Sequence, residues 1–279
     1  MAEDAPSIWS RRELLGAGAV TMMAAGASQA SPGPQPARAA AAQPFAAVRA
    51  LVFDTFGTVV DWRSSVARDV RAVAARKGVT LDAEKFADQW RANYGPSMNR
   101  VRTGELPWTK LDALHRMTLD TLLGPAGLTG LTEREIADLN RAWHRLEPWP
   151  DAVAGLSRLK RRFIIAPLSN GNISLMTNLA KHAGLPWDCI LGAELARHYK
   201  PDREVYQSAA DILDLAPAEV MMVAAHLYDL RAAKAVGLRT AFVPRPHEFG
   251  PAGKPDLAPD ATVDLTAADF GDLARQLGT

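Results

Sequence analysis

Asp54 closes a short apolar run, Val48 to Phe53 (VRALVF), and Thr55-Phe56-Gly57-Thr58 follow it. A carboxylate at the end of a buried strand can attack carbon and form an ester that water later cleaves, which divides one hard displacement into two easier steps. Lys200, in Lys200-Pro201-Asp202, supplies the matching cation. A positive charge nearby favours the ionised carboxylate. Thr58 carries a hydroxyl that would hydrogen-bond the Asp54 region, or serve as an ordinary turn residue. Ser169-Asn170-Gly171 close a second apolar run, Phe163 to Leu168 (FIIAPL). Their hydroxyl and amide donors suit a substrate carboxylate, and equally suit a helix N-cap. Asp229 follows a third run, Val220 to Ala224 (VMMVA), with His226 between them. A histidine there is placed to titrate near neutrality and to couple to Asp229.

These residues need a frame that brings distant segments to one edge. The three runs, with Thr240 to Val243 (TAFV), read as short buried strands. Helix-patterned stretches separate them at Ala152 to Arg161, Ile173 to Ala183, Glu204 to Leu213 and Leu230 to Val236. Strands alternating with helices imply βαβ units and a parallel sheet. In open α/β sheets the ligand sits at the carboxyl ends of the strands, where three of these runs end in polar residues. The stretch from about Trp62 to Glu147 has a different texture. It is helical in pattern, with helices expected from Ser64 to Lys77 and from Asp82 to Tyr94, the second stopped by Gly95-Pro96. It reads as an insertion after the first strand, fit to cover the strand ends and exclude water. The expected fold is α/β: a Rossmann-like, doubly wound parallel sheet over 45–61 and 148–279, with a helical cap over 62–147.

Asp54-Thr55-Phe56-Gly57-Thr58, Ser169-Asn170-Gly171, Lys200-Pro201-Asp202 and Asp229 occur in an order that resembles the haloacid dehalogenase superfamily. Within it the chain resembles the type II 2-haloacid dehalogenases, from about Val48 to Val263. Each motif alone is a weak signal; four in order are a strong one. The resemblance implies that Asp54 is the nucleophile, with Thr58, Lys200, Ser169 and Asn170 around it. It implies that Asp229 positions or activates the hydrolytic water, which is general-base chemistry on the ester. Trp90-Arg91-x-x-Tyr94 resembles the dehalogenase segment that brings an arginine over the nucleophile, so Arg91 would receive the departing halide. Tyr206 matches a family tyrosine near the lysine and would bond that lysine or the ester-cleaving site. Thr55, Phe56, Trp108, Tyr228 and His226 complete the expected substrate pocket; for Phe56, Trp108 and Tyr228, core packing is an equal alternative.

Two features separate branches of the superfamily. Its magnesium-dependent phosphatases carry a second Asp two residues after the nucleophile, which protonates a leaving alcohol. Phe56 stands there and cannot donate a proton. A halide leaves as a stable anion and needs no acid. The phosphatases also carry a Gly-Asp pair where this chain has Ala224-Ala225. Magnesium requires oxygen ligands, and one carboxylate is missing. The chain also departs from well-studied dehalogenases, which carry Ser and Asn at the positions of Ala224 and His226. Lys200 thereby loses a hydroxyl partner.

The expected reaction is hydrolysis of a 2-haloalkanoic acid with no cofactor and no metal. One displacement at C2 inverts configuration, so an (S)-2-haloacid would yield an (R)-2-hydroxy acid; the (S) preference follows from the resemblance. Alternatives are hydrolysis of another 2-substituted carboxylate, a superfamily phosphatase, and an exported binding protein without turnover. The expected partner is a small 2-haloacid; a homodimer stays open.

Composition narrows the field further. Of 279 residues, 48% are hydrophobic, ample for a buried core. A net charge of +1 lends no support to nucleic-acid binding, which shows a clustered basic face. Cys189 is the only cysteine, so neither an internal disulfide nor a thiolate metal cluster can form. Ser10-Arg11-Arg12-Glu13-Leu14-Leu15 resembles a twin-arginine export signal. An apolar run from Leu14 to Ala27 follows, then small-x-small sites at Ser28-Gln29-Ala30 and Ala37-Arg38-Ala39. Residues 1–44 are thus expected to be a signal peptide and linker. The mature protein is expected outside the cytoplasm, periplasmic or secreted, with no membrane span.

Overall fold

A computed structural model describes residues 45–279. The expected export signal lies outside the described residues. The first strand, β1 (Ala50–Phe53), is buried along its whole length. Its side chains alternate between two cores, as the strand period of two requires. Leu51 and Phe53 enter one cluster, Ala50 and Val52 the other. A two-residue strand follows, β2 (Val60–Asp61), and then a helical segment. That segment contains α1 (Trp62–Lys77), α2 (Ala83–Ala92), α3 (Tyr94–Arg102), α4 (Leu111–Leu123), α5 (Glu133–Asn140) and a 3-10 turn over Arg141–His144. The chain rejoins through β3 (Glu147–Pro148), which pairs antiparallel with β2. The rest alternates: α6 (Ala152–Leu159), β4 (Ile164–Ser169), α7 (Ile173–Ala183), β5 (Leu191–Gly192), α8 (Ala193–Ala196), α9 (Arg203–Ile212), β6 (Val220–Ala224), α10 (Leu227–Val236), β7 (Arg239–Phe242), β8 (Leu265–Thr266) and α11 (Phe270–Gln276).

Six strands form one sheet in the order β5-β4-β1-β6-β7-β8, all neighbours parallel. The chain leaves β1 for β4 and β5 on one side, then crosses to β6, β7 and β8 on the other. The reversal places the carboxyl ends of β4 and β6 on either side of Asp54, the crevice where doubly wound sheets hold ligands. Residues from α6, α7 and α11 pack against one core, and residues from α9 and α10 against the other. The sheet is therefore covered on both faces, as parallel sheets require.

The four anticipated strands and the helices between them are present, with ends shifted by a few residues. One expectation fails. The helix beginning near Asp82 does not run to Tyr94 and stop at Gly95-Pro96. It ends at Ala92, and α3 starts at Tyr94 with Gly95 and Pro96 in its first turn. The first turn of a helix has no use for the N–H that proline lacks, so the pair begins a helix instead of ending one. The two-residue strands β2, β3, β5 and β8 were also not anticipated; runs that short carry no periodicity.

Caps define the helical segment. Asp61 accepts the Ser64 N–H, Asp82 accepts the Lys85 N–H, and Thr132 with Glu135 forms a reciprocal capping box. Trp62, Trp90 and Trp143 pack at its centre, with Trp62 stacked on Trp143 at 6.2 Å and Trp90 edge-on to it at 5.6 Å. Trp90 Nε1 donates to the His115 carbonyl. These rings carry α1 and α2, and with them Arg91, at fixed positions.

Candidate active site

Asp54 follows β1, and its backbone N–H donates to the Val223 carbonyl of β6 at 3.0 Å. Asp54 is buried, 7% exposed. Its Oδ1 accepts from Lys200 Nζ at 3.0 Å. Its Oδ2 accepts from Thr58 Oγ1 at 2.7 Å and faces His226 Nδ1 at 3.0 Å. Burial alone would raise its pKa. Lys200 and His226, with the Thr58 hydroxyl, outweigh that and hold it far below the usual carboxylate range. Thr58 is itself fixed: its Oγ1 accepts the Ala225 N–H at 2.9 Å, and its carbonyl accepts Arg245 Nε at 2.8 Å. Arg245 in turn forks onto Asp151 at 2.8 and 3.0 Å. No motif in the sequence marks Arg245.

Lys200 is buried, and Asn170 Oδ1 accepts its backbone N–H at 2.7 Å. Nζ donates to Asp229 Oδ2 at 2.6 Å as well as to Asp54. Burial would lower the lysine pKa, but Asp229 and Asp54 push it above the ordinary range. Asp229 lies in the first turn of α10, where the helix dipole favours an anion. Its other oxygen accepts from Tyr206 OH at 2.5 Å. Of the two partners expected for Tyr206, the lysine and the ester-cleaving site, its hydroxyl meets the acid of the second, Asp229. Burial and the Asp54 charge raise the Asp229 pKa against the pull of Lys200. Two carboxylates share one ammonium, and their pKa values are pushed apart, that of Asp54 downward and that of Asp229 upward.

His226 does not couple to Asp229. Its Nδ1 faces Asp54 and its Nε2 faces both Glu248 oxygens, at 3.1 and 2.9 Å. The orientation of α10 explains this: Asp229 points into the sheet toward Lys200, whereas His226 precedes the helix as its N-cap. Carboxylates only accept, so both ring nitrogens carry protons. Burial would lower the pKa of the ring, but the Asp54 and Glu248 carboxylates push it up to about 10. Trp62 Nε1 donates to Glu248 Oε1 at 3.1 Å. Glu248 is 1% exposed and was not anticipated from the sequence. The one available hint was His226 itself, since a charged ring brought into a buried site requires counter-charge.

Arg91 sits on α2 with its guanidinium 4.0 Å from the Tyr94 ring centroid and 5.6 Å from that of Trp62. Its Nη1 is buried without a hydrogen-bond partner. Burial would lower its pKa, but Tyr94, Tyr228, Glu248 and Asp54 raise it. A buried cation with an unfilled donor is built to take an anion. Arg91 and Trp62 also line a cavity of about 480 Å³ with Ala92, Phe249 and Gly253. Phe56 is buried and edge-on to both Tyr94 and Trp143, at 6.2 and 5.8 Å. Ser169 is buried, accepts the Gly171 N–H at 3.1 Å and keeps a hydroxyl proton to donate. The buried Thr55 hydroxyl has no partner. Tyr228 is half exposed and stacks on His226 at 5.7 Å.

Trp108 is not drawn into this group. It packs on Tyr199 at 4.9 Å and lines a different cavity, with Arg102, His198 and Asp202. Of the two roles open to it, halogen pocket and packing, the structure shows packing against Tyr199.

Among the described residues, no group of three or more His, Cys, Asp or Glu side chains is arranged to hold a metal ion. No described helix is long and apolar enough to cross a membrane.

Residues 48–237 match the haloacid dehalogenase-like hydrolase family. The (S)-2-haloacid dehalogenase 1 of Pseudomonas sp. strain CBS-3 is 30% identical over 220 residues, which cover 73% of this chain and 90% of that enzyme. The crystal structure of a defluorinating L-2-haloacid dehalogenase superposes with a TM-score of 0.81 and 51% identity, covering 83% of this chain and 96% of the other. The L-2-haloacid dehalogenase of Xanthobacter autotrophicus, solved with chloropropionic acid covalently bound, gives a TM-score of 0.69 at 27% identity, with 82% and 98% covered.

Proposed function

The chain belongs to the haloacid dehalogenase-like hydrolase family, and we propose that it hydrolyses (S)-2-haloalkanoic acids to (R)-2-hydroxy acids through an ester on Asp54. The observation that carries this is a buried carboxylate held ionised, Asp54, within electrostatic reach of Arg91, whose buried Nη1 has no hydrogen-bond partner. The substrate carboxylate is held by the Ser169 hydroxyl, the Asn170 amide and nearby backbone N–H groups. Asp54 attacks C2 in line, and the halide departs toward Arg91. Lys200 keeps Asp54 ionised in the free enzyme. Water then adds to the ester carbonyl carbon and releases the hydroxy acid. Asp229, with both oxygens engaged by Lys200 and Tyr206, holds the lysine in place.

Phe56 and Ala225 oppose a phosphatase reading, since no carboxyl stands at either position to protonate an alcohol or bind magnesium. The test is halide release from a panel of 2-haloacids with EDTA present. The panel includes a fluorinated acid, because a relative 51% identical is a defluorinating enzyme. Halide release that survives exhaustive chelation is the expected outcome. A strict magnesium requirement with phosphate-ester turnover would overturn the proposal.

Export through the twin-arginine route is proposed on Arg11-Arg12, the apolar run and the small-x-small sites, which precede the family match at residue 48. Replacing Arg11 and Arg12 by Lys should hold the protein in the cytoplasm unprocessed. Unprocessed cytoplasmic wild-type protein in the native host would refute export.

A further inference from the structure

The two oxygens of Asp54 are not equivalent. Oδ2 meets two donors, Thr58 Oγ1 at 2.7 Å and His226 Nδ1 at 3.0 Å, whereas Oδ1 meets one, Lys200 Nζ at 3.0 Å. A carboxylate oxygen offers two lone pairs. Both are engaged on Oδ2, and one stays open on Oδ1. We propose that Oδ1 is the attacking oxygen, and that His226, held by Glu248, is the cationic donor that stabilises Oδ2 while the ester is hydrolysed. The inference rests on the dehalogenase reading and extends it to the second half of the reaction.

An ester formed at Oδ1 leaves Oδ2 as its carbonyl oxygen. Water adds to Cγ, and the electron pair of the C=O bond moves onto Oδ2. Donors that act on such an oxyanion must stand about 2.7–3.1 Å from it. The Thr58 hydroxyl and the His226 ring satisfy that before the reaction begins. Collapse restores the carbonyl and breaks the Cγ–Oδ1 bond, so the product leaves with Oδ1. One water proton goes to the departing alkoxide and the other to solvent. The regenerated Asp54 holds Oδ2 and the oxygen from water, and His226 neither gains nor loses a proton.

Glu248 is what makes the ring a durable cation. Esterification cancels the charge of Asp54, one of the two carboxylates facing the ring. Glu248 remains at 2.9 and 3.1 Å from Nε2, steadied by Trp62 Nε1. The titratable groups that face the ring are Asp54, Glu248 and, stacked on its face, Tyr228. Glu248 therefore leaves the ring a counter-charge at hydrogen-bond distance when Asp54 is esterified. Glu248 touches no reacting atom and is a positioning residue.

The experiment is rapid-quench kinetics with excess (S)-2-chloropropionate on wild type, His226→Ala and Glu248→Gln. In His226→Ala one equivalent of halide should appear in a burst, followed by turnover slowed about 10²–10³-fold. The Asp54 peptide should carry a 1-carboxyethyl group, and added imidazole should restore part of the rate. Glu248→Gln keeps the hydrogen-bonding shape and removes the charge, so it decides the matter if the alanine variant fails to fold. Its ester hydrolysis should fall as pH rises through the lowered pKa of His226, with an unchanged burst. A burst slowed as much as turnover, with no ester on Asp54, would overturn the proposal. So would wild-type kinetics in both variants. If wild type releases no halide from any 2-haloacid, the dehalogenase reading itself falls, and the proposal with it.

Discussion

Glu248 reaches His226 because residue 57 is glycine: a Cβ there would lie 2.1 Å from Glu248 Oε1. Gly57 also sits at φ +90, in the turn after Asp54. One position thus serves the tight turn of the nucleophile loop and the close approach of a carboxylate 191 residues later.

Gly57→Ala should therefore fail in two separable ways. The positive φ should cost about 1–2 kcal/mol of stability, read from denaturant unfolding. The displaced Glu248 should slow ester hydrolysis more than halide release. If turnover follows the stability loss alone, with no ester accumulating, Gly57 is a turn glycine and nothing more.

How much of this was legible in the sequence depends on how local each signal was. Asp54, Lys200, Ser169, Asn170 and Asp229 each follow a strand-like run or sit in a recognisable tripeptide, and the structure gathers them at one sheet edge. The direction in which a side chain leaves the edge was not legible. His226 and Asp229 are three residues apart, yet one joins Asp54 to Glu248 and the other joins Lys200 to Tyr206. Only the start of α10 at Leu227 separates their directions. Glu248 lies in an irregular loop after β7 with no periodicity around it, and its partner is named by the space above Gly57, not by spacing along the chain. Trp108 stayed open between two readings for the converse reason: an aromatic in the helical segment reads the same whether it lines a site or packs on Tyr199.

The opposite pKa shifts of His226 and Asp54 predict a two-sided pH dependence of stability. The pKa of His226 is raised from 6.5 to about 10 on folding. Its contribution is therefore complete below about 6.5 and is lost as pH rises through about 10. Asp54 is lowered from 3.8, so its contribution is complete above that value and is lost in acid. Denaturant midpoints of wild type and His226→Phe should converge as pH climbs from 6.5 to 10. A gap that stays constant across that window would show that the ring is not charged in the folded protein.

Arg91 separates catalysis from architecture. Its Nη1 has no partner to lose. Arg91→Ala should leave stability within about 1 kcal/mol of wild type. The same change should raise the barrier for chloro substrates by about 2–4 kcal/mol, as for other lost charge-stabilising donors. Wild-type turnover would return Arg91 to a packing role over Tyr94.

The fate of oxygen distinguishes attack by Asp54 from attack by water that Asp54 activates. Lys200 and Thr58 hold the carboxylate as an ion, with the lone pair of Oδ1 open. An ion so held is oriented to attack C2 and is poor at removing a proton from water. In a single turnover in H₂¹⁸O with enzyme in excess, the first product should carry ordinary oxygen from Oδ1. The label should appear in the Asp54 peptide, because the hydrolytic water adds at Cγ. Repeated turnover should then label the product as the exchanged oxygens are used. Asp54→Asn should abolish this cycle. A labelled first product with an unlabelled Asp54 would make Asp54 a general base, and neither an aspartyl ester nor an oxyanion on Oδ2 would then exist for His226 to stabilise.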